Sequence, residues 1–130
     1  MNRLRLCLGT MITAAVLLLW AGAMAEIRIN EVMASNGVYQ DGHAYDWAEL
    51  YNDGAEVSLA GWYLSNDPYQ PYKWAFPSGA KIAENGYLIV YCTGEGKEPM
   101  TDALCTNFKL SADGDTLYLT SPGGESTVLS

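Results

Sequence analysis

The chain has 130 residues and a formal net charge of −8 at neutral pH, and 49% of its residues are hydrophobic. An acidic surface repels nucleic acids and anionic membranes, because binding to either depends on clustered Lys and Arg. The composition therefore argues against nucleic acid as a partner, and the length suits a single domain with a modest core.

Residues 1–25 have the layout of a secretory signal peptide. Arg3 and Arg5 form a short positive start, a continuous apolar run follows, and Ala23-Met24-Ala25 is a small-x-small cleavage site. We expect cleavage after Ala25, secretion, and no membrane insertion of the processed chain. The alternative is a membrane anchor, because the apolar run is close to the ~18 residues that could span. Cleavage leaves five basic and fifteen acidic residues, a formal charge of −10.

The remaining part, residues 26–130, has the turn signals of an all-β protein. Asn-Gly, Asp-Gly and Gly-Gly pairs separate short apolar or alternating segments, and no segment keeps a 3.6-residue apolar period. Many short strands at this spacing predict a sandwich or barrel. The predicted strands, in chain order, cover residues 27–33, 47–51, 62–64, 72–76, 87–92, 108–110, 116–120 and 127–129.

Two carboxylates in the segment DWAELYN, residues 46–52, raise the question of an active site. If Ala48 faces the core, Glu49 shares the outer face with its aromatic neighbours, because successive strand residues point to opposite faces. Asp46 then lies on the side of Ala48, where its carboxylate can accept a hydrogen bond from a turn amide. The pattern favours a structural strand over a catalytic pair.

The sequence contains no assembled set of catalytic or metal-binding residues. His43 is the only histidine, no G-x-S-x-G motif accompanies it, and one His with two Cys is too few for a zinc site. Asp113 and Asp115, or Asp41 and Asp46, leave weak calcium binding as an alternative, but Asp-Gly between alternating runs is typical of a hairpin turn. We predict no catalytic, cofactor-binding or metal-binding residues and no enzymatic activity.

Two cysteines follow the signal peptide, Cys92 and Cys105. Export permits a disulfide bond, and the alternative is a pair of small buried side chains. One ends a predicted core strand and the other begins a segment that should return beside it. We therefore predict that Cys92 and Cys105 are bridged.

Two tyrosines offer a candidate contact surface. Tyr69 and Tyr72 lie among two prolines in a predicted loop, residues 66–74. Tyr is a rigid amphipathic side chain that suits binding, and loops carry side chains free to meet a partner. The alternative is that these rings only cover one end of the sandwich.

Six segments, taken in order, resemble the successive motifs of the lamin tail domain family. The resemblance covers nearly all of residues 27–120, and the order and spacing of the motifs make it specific. The segments are INEVMAS (29–35), DWAELYN (46–52), SLAGWYLSND (58–67), KWAFPSG (73–79), IAENGYLIVYC (82–92) and TNFKLSADGDTLYL (106–119).

The resemblance implies an immunoglobulin-like β-sandwich and transfers no catalytic residue. It is closest to bacterial extracellular forms, in particular those at the N-terminus of CotH kinase-like proteins. It implies a secreted or cell-surface, non-catalytic module for binding or spacing. Its partner would be an unknown protein, a surface polymer or a following domain of the same chain.

The alternative function is the front fragment of an extracellular enzyme, CotH-type kinase-like or hydrolytic, whose catalytic domain lies beyond Ser130. The segment GGESTVLS, residues 123–130, reads as a hairpin turn and the start of a strand. We therefore expect the sandwich to be cut short at its C-terminal end.

Overall fold

The computed structural model describes residues 26–34, 39–40, 43–94 and 103–129. This part of the chain is all-β and contains no helix, so the predicted fold class is confirmed. The strands are β1 (Ile27–Met33), β2 (Tyr39–Gln40), β3 (His43–Ala44), β4 (Asp46–Asn52), β5 (Val57–Ser58), β6 (Tyr63–Ser65), β7 (Trp74–Ala75), β8 (Lys81–Ile82), β9 (Tyr87–Cys92), β10 (Leu117–Thr120) and β11 (Ser126–Leu129).

Two antiparallel sheets form the sandwich. One has three strands in the order β1-β4-β9, and the other has four in the order β11-β10-β6-β7. Two short pairs, β2-β3 and β5-β8, accompany them. The apolar residues between the sheets exclude water, and their burial supplies most of the free energy that favours folding.

The alternation of inward and outward side chains along the strands explains which residues form the core. Ala48 and Leu50 of β4 are fully buried, and they pair with Val90 and Leu88 of β9. Leu64 of β6 faces them from the other sheet. The fully or largely buried apolar side chains of the cluster are Ile27, Ile29, Ala48, Leu50, Leu59, Leu64, Phe76, Ile82, Val90, Cys92, Phe108, Leu110, Leu117 and Leu119.

Four short regions differ from the predicted strands, and one of them is the pair β2-β3, which was not predicted. Residues 108–110 form no strand and contribute one isolated bridge, between Thr93 and Lys109. The predicted strand 72–76 shortens to β7, because residues 70–73 form turns. The pair β5-β8 was not predicted, since a two-residue strand carries no alternation and depends on distant backbone bonds such as Leu59 N to Ala80 O at 2.8 Å.

Candidate functional site

The two carboxylates of the segment DWAELYN, those of Asp46 and Glu49, point to opposite sides of β4. Trp47, Glu49 and Tyr51 share the outer face of β4, as predicted, while Ala48 and Leu50 face the core. Glu49 Oε1 accepts a hydrogen bond from Asn30 Nδ2 at 2.9 Å. The Glu49 carboxylate therefore has a hydrogen-bond partner on β1, and the Asp46 carboxylate has a different partner, described next.

Asp46 connects β4 to a distant part of the chain. Its Oδ2 accepts a hydrogen bond from the backbone amide of Leu110 at 3.3 Å. The expectation that this carboxylate would bond a backbone amide is confirmed, although the amide lies 64 residues away rather than in a neighbouring turn. The bond fixes the segment before β10 against the start of β4.

Asn52, the last residue of the same segment, is the polar centre of one end of the sandwich. It is fully buried, and its Nδ2 donates to the carbonyls of Ala55, Ile82 and Ala83 at 2.8, 3.4 and 3.1 Å. Its Oδ1 accepts from the amide of Gly54 at 3.1 Å. These partners of Asn52 lie up to 31 residues away and are set by the fold, so the sequence alone does not reveal them.

The candidate contact surface lies on the loop between β6 and β7. Tyr69 is 92% exposed at its tip and Tyr72 is 59% exposed beside it. Two bonds shape the loop locally: Asp67 Oδ1 accepts from the amide of Tyr69 at 2.9 Å, and Ser65 Oγ accepts from the amide of Asp67 at 2.9 Å. The side chain of Tyr69 thus projects from a backbone held in turns.

The two tyrosines differ in what they contact. The ring of Tyr72 packs edge-on against Tyr63 of β6, with 4.9 Å between the centroids. Its hydroxyl also lies near Gly124, in the turn between β10 and β11. Tyr72 therefore covers part of the four-stranded sheet, whereas Tyr69, with 92% of its surface exposed, covers almost nothing.

Side-chain bonds join this loop to the segment before β10. Lys73 Nζ donates to Asn66 Oδ1 at 2.8 Å, and Asn66 Nδ2 donates to the carbonyl of Lys109 at 3.3 Å. Asn107 Nδ2 donates to the carbonyl of Lys73 at 3.0 Å. These hydrogen bonds fix both ends of the loop that carries Tyr69 and Tyr72.

Cys92 and Cys105 are not disulfide-bonded in the structure. Tyr91 and Cys105 form a parallel bridge, so their side chains lie on one side, while Cys92 lies on the opposite side in the core. The predicted disulfide stays a prediction, and it requires Cys105 to turn away from the side of Tyr91. Burial raises the pKa of the Cys92 thiol to about 12. A hydrogen bond with Thr106 lowers this pKa in part, and the nearby Asp46 and Asp115 carboxylates raise it.

Two of the acids considered for calcium, Asp46 and Asp115, have carboxylates that accept hydrogen bonds within the protein. Asp115 Oδ2 accepts from the amide of Ser111 at 3.1 Å and from Asn66 Nδ2 at 3.4 Å. Within the described ranges, no group of three or more His, Cys, Asp or Glu residues is arranged to hold a metal ion. Asp41 and the side chain of His43 lie outside the described part of the chain.

The predicted signal peptide and its cleavage site after Ala25 also lie outside the described residues. Over the ranges that the structure covers, no helix has the length and apolar character needed to cross a bilayer. The division of the chain into residues 1–25 and 26–130 stays a prediction.

The two packed antiparallel sheets, with their aromatic loop, define a β-sandwich module. The chain belongs to the lamin tail domain family, because the model of that family, described as Lamin Tail Domain, matches residues 21–130. The family has an immunoglobulin-like fold, in agreement with the all-β sandwich. No curated protein matches the sequence significantly.

Proposed function

We propose that this lamin tail domain is a secreted or cell-surface, non-catalytic module that acts by binding or spacing. It would be the N-terminal accessory domain of a larger bacterial extracellular protein, of the kind that resembles the CotH kinases. Its partner would be a protein, a surface polymer or a following domain of the same chain. The family is used as an accessory module, which supports this proposal.

One observation carries the binding role: Tyr69 is 92% exposed on a loop whose backbone is tied down. A Tyr side chain has only two χ angles, so on a fixed backbone it loses little conformational entropy when a partner covers it. The alternative, that the tyrosines only cover the end of the sandwich, accounts for the packing of Tyr72 on Tyr63. It does not account for the nearly complete exposure of the Tyr69 ring.

The test is attachment of the secreted protein to its cell surface or to the rest of its chain. Replacing Tyr69 and Tyr72 with Ala should weaken attachment without unfolding the domain. Gln70→Ala is the matched control, because Gln70 is an exposed, non-aromatic residue of the same loop. Attachment of the double variant at the wild-type level would contradict the proposal.

The absence of catalysis is tested separately. The purified domain should turn over neither nucleotides, phosphoesters nor glycosides. Glu49→Gln keeps the size of the side chain and removes its charge, so any turnover that depends on this carboxylate would disappear in the variant. Robust turnover by the wild-type domain that is lost in Glu49→Gln would contradict the proposal and indicate an active site in the segment DWAELYN itself.

A further inference from the structure

We propose that the outer face of the β1-β4-β9 sheet is a second binding surface, and that it takes a chain of a neutral polysaccharide. We call it the outer aromatic face. It consists of the outward side chains of the three strands, of which Tyr91 is buried: Arg28, Asn30, Glu31, Met33, Trp47, Glu49, Tyr51, Tyr87, Ile89 and Tyr91. It is separate from the loop of Tyr69 and Tyr72, so the two proposals succeed or fail independently.

A row of one guanidinium and two aromatic rings crosses the sheet at one end of this face. Arg28, Tyr51 and Tyr87 are direct neighbours on β1, β4 and β9. The guanidinium of Arg28 lies 4.9 Å from the ring centroid of Tyr51, and the Tyr51 and Tyr87 rings are 4.7 Å apart. Cation–π and ring contacts of this kind hold the row in place. Tyr87, the outermost ring, is 62% exposed.

Polar groups occupy the middle of the face. The irregularity of β1 between Ile29 and Glu31 brings both Asn30 and Glu31 beside Glu49. Asn30 donates one hydrogen bond to Glu49 at 2.9 Å, which leaves a carboxylate of two oxygens with further accepting capacity. Sugar hydroxyls both donate and accept hydrogen bonds, so they match carboxylate oxygens, amide groups and the guanidinium of Arg28.

A further aromatic side chain, that of Trp47, lies beyond the polar groups. Trp47 is four residues before Tyr51 on β4 and points to the same face, so the two are about 13 Å apart along the strand. Trp47 is half-buried, and it pairs with Tyr91 on β9. Rings on both sides of a polar centre suit a polymer whose units carry apolar C–H faces and hydroxyl edges.

Size and charge select the polysaccharide among possible occupants. Three strands with these side chains present a face of about 15 Å by about 15 Å, well below the ~800 Å² that each partner of a stable protein complex buries. A peptide strand would add to a sheet edge, where backbone groups are available, rather than lie across a face. The acidic charge, −8 for the whole chain and −10 after cleavage, disfavours acidic polymers, and the mixture of Arg28 with Glu31 and Glu49 on this face suits a neutral polymer with hydroxyl groups.

The experiment is affinity electrophoresis of the purified chain in gels that contain a soluble neutral polysaccharide, namely a β-glucan, a xylan or a galactomannan. A polygalacturonate gel supplies the acidic comparison. We expect retardation by at least one neutral polymer and none by the acidic one. Tyr87→Ala should weaken binding about tenfold, the loss typical when an important contact aromatic is truncated.

Two variants complete the design. Glu49→Gln should also weaken binding, and it keeps the side-chain shape, so a folding defect in Tyr87→Ala would not leave the result open. Tyr69→Ala removes the most exposed ring from the other surface and should bind as the wild type does. Wild-type migration unaffected by every neutral polymer, equal retardation by polygalacturonate, or unchanged binding by both Tyr87→Ala and Glu49→Gln would overturn the proposal.

Discussion

Asn52 Nδ2 donates a hydrogen bond to the carbonyl oxygen of Ala83 at 3.1 Å, which joins the end of β4 to the turn that precedes β9. The same amide group reaches the carbonyls of Ala55 and Ile82, and the backbone amide of Asn52 donates to Gly86 O at 3.0 Å. One buried side chain thus satisfies backbone carbonyls from two turns, and of these bonds the one to Ile82 O is buried. Loss of this side chain would leave those groups without partners.

Replacing Asn52 with Ala should lower the free energy of unfolding by about 3 kcal/mol, because the buried carbonyl of Ile82 would lose its donor and two part-buried carbonyls would each lose a partner. Chemical denaturation measures the change. Asn30→Ala is the matched control, since it removes an exposed carboxamide bonded to Glu49 and should cost about 0.5 kcal/mol or less. Equal stability of the Asn52→Ala variant and the wild type would show that water replaces these bonds.

Replacing Gly86 with Ala should destabilise the same end of the sandwich. A Cβ at this position would lie 2.9 Å from the carbonyl oxygen of Ala83, which is backbone and cannot move away freely. We expect a loss of about 1–3 kcal/mol in the free energy of unfolding, the usual cost of overpacking. Gly79→Ala is the control, because nothing lies within 4 Å of a Cβ there, and its effect should stay within about 0.5 kcal/mol.

The sequence predicted what alternation and turn chemistry determine locally. The strand 27–33 and the strand 87–92 have the predicted bounds, and the inward side of β4 is as expected. Alternation could not reveal that the carboxylate of Asp46 bonds Leu110 or that Asn52 bonds Ile82, since these partners are brought together only by the fold. For the same reason, the row formed by Arg28, Tyr51 and Tyr87 depends on strand register.

The exposed loop tyrosines should contribute unequally to stability. Tyr72→Ala removes the edge-on contact with Tyr63 and should lower the free energy of unfolding by about 1 kcal/mol. Tyr69→Ala removes a ring that is 92% exposed and should change it by less than about 0.5 kcal/mol. Denaturation midpoints of the two single variants decide this, and a larger loss for Tyr69→Ala would mean that its ring packs on the sandwich.

Folding should not require a metal ion. The carboxylates of Asp46 and Asp115 accept hydrogen bonds from backbone amides, which already stabilise their charge. We expect the melting temperature to be the same in EDTA and in calcium. A fall of many degrees in EDTA that calcium reverses would require Asp115 and its neighbours to be reinterpreted as ligands.

The predicted disulfide has a direct test in the exported protein. Digestion without reductant should yield a peptide that joins Cys92 to Cys105, and the bridge should stabilise the fold by about 3 kcal/mol in the chain-entropy model. Recovery of both cysteines as alkylated thiols from the exported protein would contradict it. In that case the exported protein keeps both thiols free, with Cys105 beside Tyr91 as in the structure.

In the reduced protein, Cys92 should make stability depend on pH above about 9. Burial in the core raises the pKa of its thiol from 9.0 to about 12, because the thiolate would lose its hydration, and the negative charges of Asp46 and Asp115 act in the same direction. The unfolded chain therefore releases this proton at lower pH than the folded one. The contribution is fully present below pH 9 and is lost as pH rises toward 12.

The measurement compares unfolding free energies of the wild type and Cys92→Ala at several pH values, so that titrations of Lys and Tyr common to both proteins cancel. Between pH 9 and 12 the wild type should lose about 1 kcal/mol per pH unit relative to the variant. Iodoacetamide at pH 8 should accordingly label Cys105, which is partly exposed, faster than the buried Cys92. A pH-independent difference between the two proteins, together with equal labelling rates, would mean that the Cys92 thiol is open to solvent.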